Sequence, residues 1–233
     1  MPRPLRPIDD GLIYHVINRG NNRQPVFFNA GDFQAFLDAL WELKGRKPFA
    51  LYGYCLLSNH FHLLVRPQGD SISRIMQSLL VSHTQRYHKH RRSLGHVWQG
   101  RFKSPVVQND EHLLTVLRYI EANPLRAKVV ERAELYRWSS YPVHGQGATS
   151  ELVDRLVTYE QLSPYATVRQ RRWAQKVHLP EADATMAAIR RSNESGLPFG
   201  ETGWVRRLAD RLDLDLTIRP RGRPRKVAAT SLK

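Results

Sequence analysis

His60 and His62 are the residues whose type and spacing most directly indicate metal chemistry. They lie in SNHFHLLVRP, residues 58–67, at the head of an apolar run that is typical of a strand. Side chains two apart on a strand point to the same face, so the two imidazoles would project together. Neutral imidazole nitrogens bind divalent cations, but two ligands make a weak site. The spacing predicts a metal site that needs a third ligand; the alternative is a pair of hydrogen-bonded sheet histidines.

A helical segment later in the chain offers that third ligand. Tyr119 and Asn123 are four residues apart in DEHLLTVLRYIEAN, residues 110–123, and would share one face of an amphipathic helix. The Asn123 side-chain oxygen could complete a site of mixed nitrogen and oxygen ligands, with positions left for water and phosphate oxygens. Such a site suits Mg²⁺ or Mn²⁺.

The charge of the chain indicates a polyanionic partner. Lys and Arg total 36 against 21 Asp and Glu, a net charge of +15, which favours salt-sensitive association with nucleic acid over an anionic membrane surface. No apolar run approaches the length of a membrane span, and MPRPLRPIDD at the start lacks the apolar core of a signal peptide. We therefore expect a cytoplasmic protein that binds DNA, has no membrane partner and has no small-molecule substrate.

The order of the elements predicts the fold class. Strand patterns occupy residues 11–20, 49–58, 60–67 and 97–108, and helical patterns occupy residues 31–44, 71–92 and 110–123. The order strand, helix, strand, strand, helix, strand, helix predicts an α+β, ferredoxin-like fold, an antiparallel sheet with helices on one face. Pro124 is expected to end or kink the third helix. Cys55, the single cysteine, excludes an internal disulfide and is expected in the core.

The chain divides into three parts. Residues 1–145 form the predicted catalytic domain, and GQGATS at its end reads as a linker. Residues 146–218 form a helical C-terminal extension, with helical patterns near residues 165–178, 181–192 and 201–212. Residues 219–233 form a basic tail that cannot build a core and is expected to be disordered when free.

Several basic and aromatic residues are candidates for DNA contact. Between residues 86 and 103 cations and aromatic rings are interleaved without an acidic residue, which suits a groove that follows single-stranded DNA; the alternative is a solvated basic helix face. The candidates there are Arg86, Lys89, Arg91, Arg92, Trp98, Arg101 and Lys103. Arg19 and Arg23, after the first strand, are further candidates.

The tail adds a second type of candidate. Arg221-Gly222-Arg223-Pro224 is the core of an AT-hook-like element, a narrow chain that can enter an A·T minor groove. General attraction to phosphate is the alternative.

Four segments together resemble a known family. In chain order they are YHVINRGNNRQPVF, SNHFHLLVRP, VWQGRFKS and LRYIEANPLRAKVV, within about residues 8–142. They resemble the HUH single-tyrosine transposases of insertion sequences, and in particular their domesticated relatives, the REP-associated tyrosine transposases. The resemblance implies that His60, His62 and Asn123 hold a divalent metal and that Tyr119 is the nucleophile. It implies an endonuclease that cleaves and rejoins single-stranded or hairpin DNA of the REP type through a 5′-phosphotyrosine.

A tyrosine nucleophile needs help to deprotonate, because a free phenol has a pKa of about 10. Arg118, Arg126 and Lys128 are candidates for that help, and Arg126 and Lys128 are also candidate DNA contacts. Tyr87 on the second helix is the alternative nucleophile, and His15 on the first strand is a candidate neighbour of the metal.

The sequence is also compatible with two other functions. One is a non-catalytic DNA-binding regulator that keeps the fold and the basic surface, and the other is a His-x-His metallohydrolase with a metal-activated water as nucleophile. One tyrosine per chain means that two coordinated cleavages need either a homodimer or sequential turnovers of a monomer.

Overall fold

A four-stranded antiparallel sheet organises the protein, for which a computed structural model describes residues 11–214. The strands are β1 (Ile13–Arg19), β2 (Phe49–Leu57), β3 (His60–Pro67) and β4 (Val106–Val107), in the order β2-β3-β1-β4. β1 pairs with β3 and with β4, and β2 pairs with β3, each pair antiparallel. This strand order along a βαββαβ chain confirms the predicted ferredoxin-like α+β fold.

The helices of the described residues follow the predicted pattern closely. They are α1 (Ala30–Arg46), α2 (Ile72–Arg91), α3 (Glu111–Glu121), α4 (Asn123–Arg126), α5 (Tyr141–Gln146), α6 (Val157–Glu160), α7 (Ala166–His178), α8 (Asp183–Ser195) and α9 (Thr202–Leu212). Side-chain caps fix the start of the first three: the side chains of Asn29, Ser71 and Asp110 each accept a hydrogen bond from a backbone N–H in the first turn. α3 ends at Glu121, and Pro124 lies in the first turn of α4, where its missing N–H costs nothing. Pro124 therefore ends the helix, as predicted.

Helices cover both faces of the sheet, which corrects the expectation of helices on one face. Alternate side chains of β3 divide between two cores: Phe61 and Leu63 pack with α1 and α2, while Leu64 packs with α3 and the C-terminal helices. The physical reason lies in β2, FALYGYCLL, where nearly every position is buried. A strand that is apolar on both faces needs cover on both faces. Cys55 of β2 is fully buried, as expected for a core residue.

The predicted fourth strand is mostly irregular. Only Val106–Val107 form β4. Upstream residues make isolated bridges, from Lys103 to Ile17 of β1 and from Trp98 to Gly20 just after β1. Gly100 has a φ of 75°, which glycine adopts without strain, and Pro105 lacks a backbone N–H for a ladder. This edge segment nevertheless follows β1 and stays close to the end of the strand.

The C-terminal extension packs on the sheet domain. Its predicted helices are α7, α8 and α9, and Trp173 of α7 and Ile189 of α8 share a core with α3. Leu208 of α9 joins the core on the other face. No helix within residues 11–214 has the length and apolar character to cross a bilayer. The basic tail, with Arg221 and Arg223, lies outside the described residues.

Candidate active site

Three histidines meet on one face of the sheet. His60 and His62 lie two apart on β3, and their ring centroids are 5.2 Å apart. His15 comes from β1, which pairs with β3 in a register that puts His15 opposite Leu64 and Ile17 opposite His62. His15 and His62 are therefore diagonal neighbours, and His15 Nε2 lies 2.9 Å from His62 Nδ1. The candidate neighbour of the metal thus contacts one of the two predicted ligands.

Tyr119 of α3 lies against these histidines. Its ring centroid is 5.7 Å from that of His62 and 5.8 Å from that of His15, both in edge-on geometry. The side chain is largely buried, with 9% of its surface exposed, and it lines the cleft that His60 and His62 also line. Tyr87, the alternative nucleophile, lies on α2 at the other face of the sheet, where its ring contacts Phe28.

Burial keeps the imidazoles neutral. It lowers the pKa of His60 to about 4 and that of His15 to about 3, and it lowers the pKa of His62 well below the usual value. The positive charge of Arg126 lowers all three further. The neutral ring is the form that can bind a metal through its lone pair.

A hydrogen bond orients the His60 ring. Its Nδ1 lies 2.6 Å from the side-chain oxygen of Asn59, and because an amide oxygen only accepts, the ring nitrogen donates. The proton of neutral His60 is thus on Nδ1, and Nε2 keeps its lone pair. Such outer contacts commonly hold histidine ligands in the orientation that a metal needs.

The residues present fit a divalent cation, although the histidines and acids alone do not complete its site. No group of three His, Cys, Asp or Glu side chains within residues 11–214 is arranged to hold a metal ion, so a third protein ligand must be of another type. Asn123, one helical turn after Tyr119, is buried, and its side-chain nitrogen has no hydrogen-bond partner among the described residues. The unpaired atom is an N–H donor, whereas a cation would bind the Asn123 oxygen, so this unpaired group is not itself evidence for a metal. Asn123 is not among the residues that line the cleft.

Arg126 is the cation that contacts Tyr119. Its guanidinium carbon lies 4.1 Å from the centre of the Tyr119 ring, and its guanidinium donates to the Tyr119 backbone carbonyl. Arg118 instead bonds to Glu181 and to backbone carbonyls of the extension. Lys128 is exposed and has a φ of 54°. Of the three cations predicted as candidates to help deprotonate Tyr119, only Arg126 lies on the phenol ring.

A basic cleft of about 960 Å³ opens in front of the histidines and Tyr119. Four of the predicted DNA contacts line it: Arg19, Arg23, Arg101 and Lys103. Gln99 also lines it and accepts a hydrogen bond from the Arg19 side chain. The cleft therefore joins the end of β1 to the irregular edge segment.

The remaining predicted contacts lie elsewhere. Arg86, Lys89 and Arg92 are exposed near the C-terminal end of α2. Arg91 pairs with Asp32 and lies over the ring of Phe28, and Trp98 is half-buried with its Nε1 donating to Thr84. The predicted continuous track from 86 to 103 is thus divided into a cleft group and a group on α2.

The C-terminal extension supplies part of the cleft wall, which no sequence pattern indicated. Arg190, Asn193 and Glu194 of α8 line it. Their spacing shows that they share one helix face, but nothing in the sequence indicates which surface that face meets.

Glu121 is a further residue that no sequence pattern indicated. It lies two residues after Tyr119, is fully buried, and accepts hydrogen bonds from the side chains of Ser140 (2.5 Å), His144 (2.6 Å) and Trp173 (2.7 Å). These contacts tie the helix of Tyr119 to α5 and α7. A single acid in an amphipathic helix normally indicates a solvated position, so no sequence signal identified this one.

Comparison with known proteins relates part of this chain to transposases. Residues 10–123 match the family described as IS200-like transposases. A protein of Haemophilus influenzae described as a REP-associated tyrosine transposase is 29% identical over 105 residues, which are 40% of this chain and 60% of that relative. The chain thus spans less than two thirds of the curated relative that it matches.

A solved structure gives an independent comparison of the fold. The structure of a REP-associated tyrosine transposase bound to a REP hairpin aligns with a TM-score of 0.51 at 20% identity, over 66% of this chain and 94% of that one. The similarity supports the same fold, and the sequence match covers the segment that carries the histidines and Tyr119. Over that segment, residues 10–123, the chain is similar to the IS200-like transposases.

Proposed function

We propose that this protein cleaves and rejoins single-stranded or hairpin DNA, with Tyr119 as the nucleophile. The observation that carries the proposal is the position of the Tyr119 ring, 5.7 Å from that of His62 at the wall of a basic cleft. A hairpin substrate of the REP type is supported by the relative that was solved with a REP hairpin. The family match supports the enzyme class.

His60, His62 and Asn123 are the proposed ligands of Mg²⁺ or Mn²⁺. The two neutral imidazoles support the histidine part of this ligand set, and Asn123 is included because it lies one helical turn after Tyr119. A bound divalent cation would supply positive charge that polarises the scissile phosphate. Because the imidazole ligands are neutral, they would leave that charge intact.

The proposed chemical step is a transesterification. The phenol of Tyr119 loses its proton, its oxygen forms a bond to phosphorus, and the bond from phosphorus to the 3′ oxygen breaks. The 3′ oxygen takes up a proton, which leaves a free 3′-hydroxyl and a 5′-phosphotyrosine. Attack by another 3′-hydroxyl reverses the step and joins strands without ATP, because the covalent intermediate retains the phosphodiester bond energy.

Residues around the nucleophile have supporting roles. The Arg126 guanidinium, 4.1 Å from the centre of the Tyr119 ring, stabilises negative charge on the attacking oxygen. Arg19, Arg23, Arg101 and Lys103 bind backbone phosphates along the cleft.

The decisive experiment is covalent trapping on end-labelled hairpin DNA in Mn²⁺ or Mg²⁺. Wild-type protein should form a tyrosine-linked DNA fragment, and Tyr119→Phe should lose both the adduct and the cleavage while it still binds DNA. Tyr87→Phe is the matched control and should form the adduct at the wild-type rate. Cleavage that survives Tyr119→Phe would favour the metallohydrolase, and wild-type binding without any cleavage would favour the non-catalytic regulator.

A further inference from the structure

Helix α8 forms one wall of the cleft, although it lies beyond the segment that matches the transposase family. Contacts on both sides of the helix hold it there. Just before the helix, Glu181 pairs with Arg118 of α3 at 3.0 Å. Just after it, the Phe199 backbone donates to the Val106 carbonyl and accepts from the Gln108 N–H, which ties this end to β4. The wall is therefore a fixed part of the fold.

The apolar side chains of α8 determine which of its arginines reaches the cleft. Met186 and Ile189 are buried in the core shared with α3. Arg190 follows Ile189 directly and lines the cleft. Successive helix residues are turned by about 100°, and Arg191 is exposed without being part of the cleft lining. Core packing thus turns one arginine of the pair toward the cleft and the other toward solvent.

The charge of Arg190 is available for a ligand. Its side chain is exposed and makes no ion pair or hydrogen bond with any described residue, Glu194 one helical turn later included. Burial lowers the pKa of Arg126, and the positive charge of Arg190 adds to that effect. The Arg190 guanidinium therefore lies within electrostatic reach of the cation on the Tyr119 ring. A planar guanidinium can donate two parallel hydrogen bonds to a phosphate group.

We propose that Arg190 binds a backbone phosphate of the DNA strand in the cleft. Arg19 and Arg101 line the cleft from the sheet domain, whereas Arg190 lines it from the extension. The strand is then held by cations from both parts of the chain, and the extension forms part of the DNA-binding surface. This assignment rests on the proposed function, because it takes the cleft as the DNA site.

DNA binding without divalent metal tests the assignment in the absence of cleavage. Full-length protein is titrated in EDTA with end-labelled hairpin DNA that carries a single-stranded extension. One phosphate contact to a single strand contributes about 0.7 to the log–log salt slope, which is about 5-fold in affinity at about 0.1 M salt. Arg190→Gln should lose both, and Arg191→Gln is the matched control that should bind as the wild type does. Arg190→Lys should retain the salt slope, because it keeps the charge.

Glu194→Gln separates a phosphate contact from a general effect of changing the wall. The Glu194 carboxylate also lines the cleft and repels phosphate. Its removal should therefore leave DNA affinity unchanged or higher. A loss of affinity as large as that of Arg190→Gln would show that any change in this wall disturbs binding, and would overturn the assignment.

Replacement of single phosphates by uncharged methylphosphonates locates the contact. One such replacement should weaken binding to the wild type and have little further effect on Arg190→Gln, because both changes remove the same interaction. Equal affinities of Arg190→Gln and Arg191→Gln, or additive losses at every phosphate, would overturn the assignment. Wild-type protein that shows the expected binding but forms no phosphotyrosine adduct would count against the proposed function alone. Wild-type protein that binds no DNA would overturn both.

Discussion

Replacement of Glu121 by glutamine tests whether the extension anchors the helix that carries Tyr119. Glu121 is fully buried and uses both side-chain oxygens: one accepts from Ser140 and His144, and the other accepts from Trp173. A glutamine side chain has one oxygen only. Its NH₂ group must therefore face a donor, either the Trp173 indole or the other two groups.

The loss of stability in Glu121→Gln follows from the hydrogen bonds that the substitution removes. The better orientation of the amide keeps the contacts to Ser140 and His144 and loses the contact to Trp173. A hydrogen bond to a charged acceptor contributes about 1.5–3 kcal/mol, and unpaired buried donors add to the loss. We expect the free energy of unfolding to fall by about 3 kcal/mol. For a chain of this size 1 kcal/mol corresponds to roughly 2–4 °C, so Tm should fall by roughly 6–12 °C.

Thermal and urea unfolding, followed by circular dichroism, provide the assay. Glu131→Gln is the matched control, because Glu131 is exposed, and it should leave Tm within about 2 °C of wild type. If Glu121→Gln also melted within about 2 °C of the control, the contact to Trp173 would not stabilise the attachment of the extension, and the argument for the anchor would fail.

Three further predictions concern Tyr119, pH and salt. Arg126→Met should slow adduct formation about 10-fold or more while DNA affinity changes little. Arg118→Met is the control and should react at the wild-type rate. Equal rates of the two variants in single-turnover trapping would count against a role for Arg126. Burial lowers the pKa of His83 from 6.5 to about 4, so the unfolded chain takes up a proton below about pH 6.5 that the folded protein excludes, and stability falls as the pH drops toward 4. In urea unfolding, the free energy of unfolding of His83→Met should therefore fall between pH 7 and pH 5 by about 2 kcal/mol less than that of the wild type. An equal fall in both proteins would contradict this prediction. Arg101→Gln should reduce the salt dependence of single-stranded DNA binding by about 0.7 in log–log slope, and Arg86→Gln, outside the cleft, should not; a reversed order in fluorescence-anisotropy titrations would move the binding surface to α2.

Local sequence patterns were sufficient to predict the two long helices. The helices over residues 31–44 and 71–92 were predicted close to their bounds, because amphipathic periodicity and capping residues depend on neighbours in sequence. The two errors in the fold have local causes as well. The continuous apolar run of β2 already required cover on both faces, and the breaks at Gly100 and Pro105 already limited the fourth strand.

The sequence by itself determined which residues can do chemistry here. The period of a strand put His60 and His62 on one face, and resemblance to a family pointed to Tyr119 as their partner. Tertiary structure decided what surrounds them. The β1–β3 register brought His15 to His62, and the short helix α4 put Arg126 rather than Arg118 on the phenol ring.

The same division holds for the extension. Periodicity predicted α8, but only the packing of its apolar face against α3 decided that Asn193 lines the cleft with His60 and His62. The physical reason is that helix and strand periods are set by the backbone over a few residues, whereas strand register and helix placement minimise the free energy of the two cores as a whole. Contacts between distant segments therefore depend on every side chain in those cores, and no short stretch of sequence contains them.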